Sequence, residues 1–285
     1  MAEYVLVTES GSDISKEVAD RYGIVVVPMH VNFGGKERDD GTFPTEELYA
    51  NYKHTGELPH TSGCSPQDFI DAFDRIHAER PEAHIVYLAY SAVTTVSFAS
   101  AQHASEGRAY VTSIDMKSVS SGLQMVVTNV ARFLEARPDS SLDEVVAFAE
   151  DQVRRIRMAF IPGDLDYLRA GGRLSNAAYL GATLLRIKPT VDIIDGRLVA
   201  TKKRHGSMLK CAASLTEEVL GGEPMDTSRV NFIYSVGDGP DPILRKVVEK
   251  IASKHGFDEI EWVKTGCVIA SHAGPGSFGV VACVR

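Results

Sequence analysis

Short apolar runs alternate with longer amphipathic stretches along the first half of the chain. Four apolar runs have the length and composition of strands. They are Tyr4–Thr8, Ile24–Pro28, His84–Tyr90 and Ala109–Ile114. Because the stretches between them have helical periodicity, the pattern predicts an α/β protein.

Helix boundaries are marked by capping residues. We expect a first helix to begin at Ser12 or Asp13 and to end at Gly23, and a second to begin at Thr45. Ser65 followed by Pro66 is typical of an N-cap with proline in the first turn. Two longer helices are predicted over Ser121–Glu135 and Leu142–Met158.

The character of the chain changes after Pro162, where glycine turns precede a helical region at Leu165–Leu185. Further strands and helices follow this region. The predicted strands are Ile187–Ile194, Arg197–Thr201, Val230–Tyr234, Glu259–Val263 and Val280–Val284, and the predicted helices are Met208–Leu220 and Pro242–His255. We therefore expect two α/β lobes, residues 1–160 and residues 161–285.

Composition limits the possible functions. The chain has 285 residues, of which 44% are hydrophobic, so it can bury a large core. Its net charge of −8 argues against a nucleic-acid partner. The dense basic cluster Lys202–His205 is too small for a nucleic-acid footprint, but it is large enough for one phosphate or one acidic patch.

The cysteines and the short apolar runs indicate a cytoplasmic location. The four cysteines lack metal-ligand spacing and suit reduced cytosolic thiols, so we expect no metal and a cytoplasmic location. Tyr4–Val7 is too short for the core of a signal peptide. No run reaches the ~20 apolar residues of a transmembrane segment.

Common nucleotide and hydrolase motifs are missing or out of context. Gly274–Gly279 spells the dinucleotide motif, but a terminal strand is expected after it instead of a helix. Gly34-Gly35-Lys36 is followed by Glu37, so it is not a P-loop. The sequence also lacks a nucleophile elbow around Ser65. We therefore expect no cofactor, and no activity from this chain alone.

Gly171-Gly172-Arg173 has two interpretations. A backbone without side chains can approach another group closely, and the arginine would then meet an anionic ligand. Alternatively, a helix ends after Leu168, one glycine is its left-handed cap, and Arg173 is solvated. The residues themselves allow both.

Hydroxyl groups and one histidine are further candidates for a binding site. Thr61, Ser62 and Ser91 can donate hydrogen bonds to an anion, although each also suits a turn or a helix cap. His272, between Ser271 and the Ala273-Gly274-Pro275 turn, can contact a ligand or can be structural.

Several segments together resemble the DegV family over nearly the whole chain. They are the stretch from Asp164 to Val199, Thr8–Asp13, Thr61–Pro66 and Ser271–Pro275. The resemblance implies a DegV-like fold, with a Rossmann-like N-terminal lobe and a ligand tunnel between the lobes. It also implies a bound long-chain fatty acid, whose carboxylate is presented to a separate ATP-dependent fatty acid kinase.

The resemblance assigns roles to individual residues. Thr61, Ser62, Ser91 and His272 would bind the fatty acid, and Arg173 and Arg204 would lie near the head group or face the kinase. Two positions differ from the family pattern: Ala92 replaces a serine and Val96 replaces a glycine, which puts the carboxylate contacts there in doubt. The sequence does not separate the apolar lining of the tunnel from ordinary core, and the candidates for it are Leu180, Leu184, Leu185, Ile187 and Ile194.

Two alternative functions are open. Ser91 and His272 could be the nucleophile and base of an acyl hydrolase, although the sequence identifies neither an acidic partner nor an oxyanion turn. The protein could also carry or sense another anionic amphiphile without a kinase. An intact fatty acid released from denatured protein would favour the carrier, and turnover of an activated ester would favour the hydrolase.

Overall fold

The computed structural model describes residues 3–173, 187–237 and 239–285. The chain forms two compact units, each built from discontinuous segments. The first unit contains Met1–His30, Ser62–Arg154 and Asp195–Arg197, and the second contains Val31–Thr61, Arg155–Ile194 and Leu198–Arg285. Residues 31–61 thus group with the second unit. The lobe boundary expected at residue 160 stays a prediction.

The first unit is built on a parallel sheet of four strands in the order β2-β1-β6-β7. Its strands are β1 (Glu3–Glu9), β2 (Val25–Val27), β6 (Ala83–Ala89) and β7 (Val111–Asp115). Its helices are α1 (Lys16–Tyr22), α3 (Pro66–Glu79), α4 (Ser97–Ala104), α5 (Ser120–Ala136) and α6 (Leu142–Arg155). Five consecutive residues of β6 are buried, as expected for a parallel strand that is covered on both faces.

The second unit contains a mixed sheet of six strands in the order β10-β9-β8-β13-β11-β12. Its strands are β8 (Ile156–Ile161), β9 (Lys188–Ile194), β10 (Arg197–Arg204), β11 (Met225–Tyr234), β12 (Glu259–Lys264) and β13 (Phe278–Val284). Strand β13 is antiparallel to both β8 and β11, and β12 is parallel to β11.

Two helices cover one face of this sheet. Helices α8 (Met208–Gly221) and α9 (Pro242–Lys254) pack against Phe232, Phe278 and Val280, and these residues belong to one buried core. Shorter helices α7 (Leu165–Ala170) and α10 (Cys267–Ala273) contact each other, and α10 also contacts α2 (Thr45–Thr55). A small sheet has the order β4-β3-β5 and consists of β3 (His30–Phe33), β4 (Lys36–Asp39) and β5 (His60–Ser62).

The α/β class expected from the sequence is confirmed. The predicted helix ends are correct where residues close in sequence form the cap. Gly23 has φ +63° and ends α1, and Ser65 and Asp68 form a capping box that begins α3 with Pro66 in its first turn. Thr45 is the first residue of α2.

Two predicted helix boundaries were wrong. Helix α1 is capped by Ser15, because Ser10–Ser12 form a short 3₁₀ helix that ends with Asp13 in the left-handed region. The helix expected over Leu142–Met158 ends at Arg155, because Ile156–Ile161 form strand β8. Strand β8 pairs with β13 and with β9, so these non-local hydrogen bonds override the helical periodicity.

The helical region expected at Leu165–Leu185 is helical at Leu165–Ala170. The lining candidates Leu180, Leu184 and Leu185 lie outside the described residues. Of the other two, Ile187 is buried and Ile194 is 47% exposed. In the described part of the chain, no helix is long and apolar enough to cross a membrane, and no group of three acidic, histidine or cysteine side chains could hold a metal ion.

Candidate functional site

Thr61 and His272 form a hydrogen-bonded pair in the second unit. Thr61 is the middle residue of β5, and His272 lies in the last turn of α10 rather than in a loop. The distance from Thr61 Oγ1 to His272 Nε2 is 2.8 Å. Two of the residues selected from the sequence are thus in direct contact, although 211 positions separate them along the chain.

This pair can offer one hydrogen bond to a ligand. The threonine hydroxyl carries one proton and a neutral imidazole carries another, and the Thr61–His272 bond uses only one of the two. The other ring nitrogen, His272 Nδ1, is buried and has no hydrogen-bond partner among the described residues. When the imidazole proton is on Nε2, that N–H donates to Thr61 and the Thr61 hydroxyl keeps its own proton for a ligand.

Gly171 packs directly against the ring of His272. A Cβ atom at position 171 would lie 2.0 Å from His272 Nδ1, so only glycine fits there without moving the ring. Gly171 itself has a right-handed helical conformation, with φ −71°, and Gly172 has φ +71°. Gly171 therefore packs closely against a ring and Gly172 adopts the left-handed conformation after a helix that ends at Ala170, while contact of this turn with an anionic ligand stays a prediction.

The charge state of the pair follows from its surroundings. Burial, and to a smaller extent the nearby positive charge of Arg173, lower the pKa of His272 to about 3. The imidazole is therefore neutral at pH 7. Arg173 is exposed, and its guanidinium bonds the Gly171 carbonyl. An anion at this place would meet a hydrogen-bond donor and a full positive charge.

Ser62 and Ser91 belong to the first unit and have different surroundings. Ser62 is exposed at the end of β5, and its side chain points to the opposite face of the strand from Thr61. Ser91 is buried, and its Oγ donates to the carbonyl of Gly196 at 2.8 Å. Since α4 begins at Ser97, Ser91 is not the cap of that helix.

Gly196 is a contact of Ser91 that the sequence reasoning missed. It forms the turn between β9 and β10 together with Asp195, and both residues have positive φ angles, 78° and 48°. A Cβ atom on Gly196 would lie 2.3 Å from Ser91 Oγ. The Asp-Gly pair between two strands was the available signal, because this dipeptide favours a tight hairpin turn.

Glu9 lies at the end of β1 in the first unit, in a segment that carries the family resemblance. Its carboxyl group is fully buried. Oε1 accepts from the Tyr87 hydroxyl at 2.5 Å, and Oε2 accepts from the backbone N–H of Tyr90 at 2.9 Å. Burial raises the pKa of Glu9 to about 7 despite both hydrogen bonds.

Arg204 is buried in the second unit and is held by three side chains. Its guanidinium donates to Thr190 Oγ1 at 2.6 Å, to Ser214 Oγ at 2.8 Å and to Glu218 Oε2 at 2.8 Å. These bonds tie β10 to β9 and α8. Its role near the head group or the kinase stays a prediction, and these contacts also give it a structural role.

Replacing Arg204 with alanine should lower the free energy of unfolding by about 2 kcal/mol, because Glu218 loses a charged hydrogen-bond partner in a half-buried place. Urea unfolding followed by circular dichroism would measure this change. Lys203→Ala, at an exposed neighbouring position, is the matched control and should change stability by less than about 0.5 kcal/mol. Equal stability of the two variants would contradict the prediction.

Comparison with known proteins places this geometry in a family. The family model described as "DegV: Uncharacterised protein, DegV family" matches residues 3–285. A DegV domain-containing protein of Deinococcus radiodurans is 30% identical over 282 residues, which is 96% of each chain. A DegV family protein from Thermus thermophilus, described as fatty acid binding, is 30% identical with a TM-score of 0.86, and the match covers 99% of this chain and 100% of that one.

A further solved structure is more distant in sequence. The fatty acid kinase B3 protein of Streptococcus pneumoniae, loaded with linoleic acid, is 19% identical with a TM-score of 0.83, over 99% of this chain and 100% of that one. At this identity the likeness shows the fold alone. The family model, which spans all but the first two residues, identifies the chain as a member of the DegV family.

Proposed function

We propose that this protein binds a long-chain fatty acid and presents its carboxylate to a separate ATP-dependent kinase. The observation that carries the fatty-acid proposal is the Thr61–His272 pair with Arg173 close to it. A relative at 30% identity, from Thermus thermophilus, is described as fatty acid binding, and this supports the same ligand.

The tail and the head group of a fatty acid contribute differently to the free energy of binding. Burial of a tail of some fourteen methylenes contributes on the order of 11 kcal/mol before the costs of association. An unpaired buried carboxylate would cost several kcal/mol, so the head group needs donors and a positive charge. The spare proton of the Thr61–His272 pair and the guanidinium of Arg173 meet this need.

Thr61→Val should weaken fatty acid binding about tenfold, because it removes a hydroxyl from the charge-assisted hydrogen bonding at the head group. Titration calorimetry with oleate on delipidated protein would measure the affinity. Thr112→Val is the matched control, because Thr112 Oγ1 forms a bond of the same length, 2.8 Å, with His84 Nε2 in the first unit. Equal affinities of both variants would remove Thr61 from the site.

The identity of the ligand has its own test. Denaturation of the purified protein should release an intact fatty acid, which mass spectrometry would identify. Among the described contacts, Ser91 and His272 are each bonded to another group, and a histidine whose pKa lies near 3 is a weak base at pH 7, which disfavours the hydrolase alternative. The role of Ser91 at the head group stays a prediction, since its single proton is donated to Gly196.

Presentation to a kinase is the finer part of the proposal. The sequence lacks a P-loop, so ATP would be bound by the partner, and this chain would contribute a positioned carboxylate as the phosphoryl acceptor. The S. pneumoniae neighbour, named as a fatty acid kinase protein, shares the fold. The exposed guanidinium of Arg173 is suited to the developing phosphate or to an acidic partner surface.

Incubated with ATP, magnesium and oleate, the purified protein should neither consume ATP nor modify the lipid. Acyl phosphate, trapped as the hydroxamate, should form only when a fatty acid kinase subunit is added. Arg173→Ala should lower this rate at saturating lipid, whereas Arg169→Ala, at an exposed position in the last turn of α7, should not. ATP consumption by the isolated chain, after removal of contaminating kinases, would contradict the carrier role.

A further inference from the structure

A cleft lies within the second unit, where α8 and α9 begin. Its volume is about 510 Å³, which is within the usual range of sites for small molecules. The walls include Met208 and Leu209 of α8, Leu244 of α9, and the aromatic rings of Trp262 and Phe278. Neither Thr61 nor His272 lines this cleft, so it is separate from the candidate head-group site.

The floor of the cleft is an aromatic cluster on the face of the sheet that α8 and α9 cover. The centroid of the Trp262 ring lies 5.0 Å from the centroid of the Phe232 ring and 6.3 Å from that of the Phe278 ring. Phe232 and Phe278 belong to the core between this face and the two helices, and Trp262 packs against that core. At the rim, Ile243 is 65% exposed and Val236 is 37% exposed. Apolar side chains are therefore present both inside the cleft and at its mouth.

One polar group in the wall has no protein partner. Ser277 is 6% exposed, and its Oγ forms no hydrogen bond to any described residue. The neighbouring Ser235 is different, because its hydroxyl donates to the Gly274 carbonyl and accepts from the Ser277 N–H. A buried hydroxyl without a partner is costly. A ligand atom that accepts a hydrogen bond from Ser277 would remove this cost.

The charges around the cleft disfavour an anion. Of the lining residues that the structure describes, Asp241 is the only one with a formal charge. Its Oδ1 accepts from the backbone N–H groups of Ile243 and Leu244, so the carboxylate offsets the positive end of α9. In the described part of the lining, a ligand carboxylate would meet no cationic side chain and would face the charge of Asp241. An uncharged ligand avoids both penalties.

We propose that this cleft binds a small uncharged ligand with an aromatic or branched aliphatic body and one hydrogen-bond acceptor, such as a ketone, ester or ether oxygen. The body packs on Trp262 and Phe278, and the acceptor bonds the Ser277 hydroxyl. The site is distinct from the fatty-acid site in place and in the charge of its ligand.

The fluorescence of Trp262 reports directly on ligand binding in the cleft, because Trp262 is the only tryptophan in the chain. The probe is benzylacetone. Titration with benzylacetone should change the fluorescence of Trp262 saturably, with a Kd below about 1 mM, both without and with excess oleate. Phenylbutyrate, of similar size but negatively charged, should bind at least about tenfold more weakly. Ser277→Ala should weaken benzylacetone binding about fivefold to tenfold. Ser118→Ala, which removes another buried hydroxyl without a described partner, should leave the binding unchanged.

Blocking the mouth is an independent test. Val236→Phe should abolish benzylacetone binding, and Val96→Phe, at an exposed valine of the first unit, should retain it. Thermal unfolding of each variant would establish that it is folded. No saturable fluorescence change up to about 1 mM benzylacetone would overturn the proposal. It would also be overturned by competition with oleate, by equal binding of phenylbutyrate, or by full binding to a folded Val236→Phe variant.

Discussion

Between pH 4.5 and pH 7 the protein should lose about 3 kcal/mol of stability through Glu9 alone, and Glu9→Gln should abolish this loss. Burial raises the pKa of Glu9 from 4.5 to about 7. Below pH 4.5 the carboxyl group is protonated in both the folded and the unfolded chain. As the pH rises, the unfolded chain releases its proton first and is stabilised relative to the folded protein. Above pH 7 the loss is complete.

Urea unfolding at pH 5 and at pH 8 would measure this effect as the difference between the parent and Glu9→Gln. Other groups also titrate in this range, but their contributions cancel in that difference. Glu17→Gln, in the exposed first turn of α1, is the control and should keep the pH dependence of the parent. A parent and a Glu9→Gln variant with the same pH dependence would show that the Glu9 carboxylate is not destabilised in the fold.

Gly171→Ala should weaken fatty acid binding about a hundredfold, because the new methyl group would occupy the place of the His272 ring. The clash, 2.0 Å to Nδ1, forces the ring to move and breaks the Thr61–His272 bond. Loss of the pair's hydrogen bond to the carboxylate, together with displacement of Arg173, whose guanidinium bonds the Gly171 carbonyl, corresponds to a change of this size. Calorimetric titration with oleate would measure the affinity.

Gly172→Ala is the matched control at the next residue. A Cβ atom there meets no described atom within 4 Å, but the backbone has φ +71°, so alanine costs about 1 kcal/mol of stability without a steric clash. This variant should be less stable than the parent and should still bind oleate with similar affinity. If Gly171→Ala bound oleate as tightly as Gly172→Ala, the close contact with His272 would have no role in binding.

Local structure was predictable from the sequence where neighbouring residues supply the hydrogen bonds. Ser65, Pro66 and Asp68 contain all the groups that begin α3, and Gly23 needs only its own conformational freedom to end α1. Strand β8 was misjudged, because its hydrogen bonds are made with β13 and β9, which come much later in the chain. Helix α10 was missed for a similar reason, since its seven residues are held by packing against α7 and α2.

For the candidate site, too, the sequence predicted the residues, and the tertiary structure decided their contacts. Thr61, His272 and Arg173 were selected from the sequence by their chemistry and by their resemblance to DegV segments. Their geometry was not predictable, because the sequence does not state which glycine contacts the imidazole or that Arg204 is held by Thr190, Ser214 and Glu218.

By itself the sequence determined the α/β class, the family and the residue types available for an anionic head group. These properties depend on hydrophobic periodicity and on short motifs, which are local in the chain. Only the tertiary structure decided the 2.8 Å contact of Thr61 with His272, the burial that raises the pKa of Glu9 and the cleft beside Trp262. Distances and desolvation depend on which distant segments pack together, and packing is a property of the folded chain as a whole.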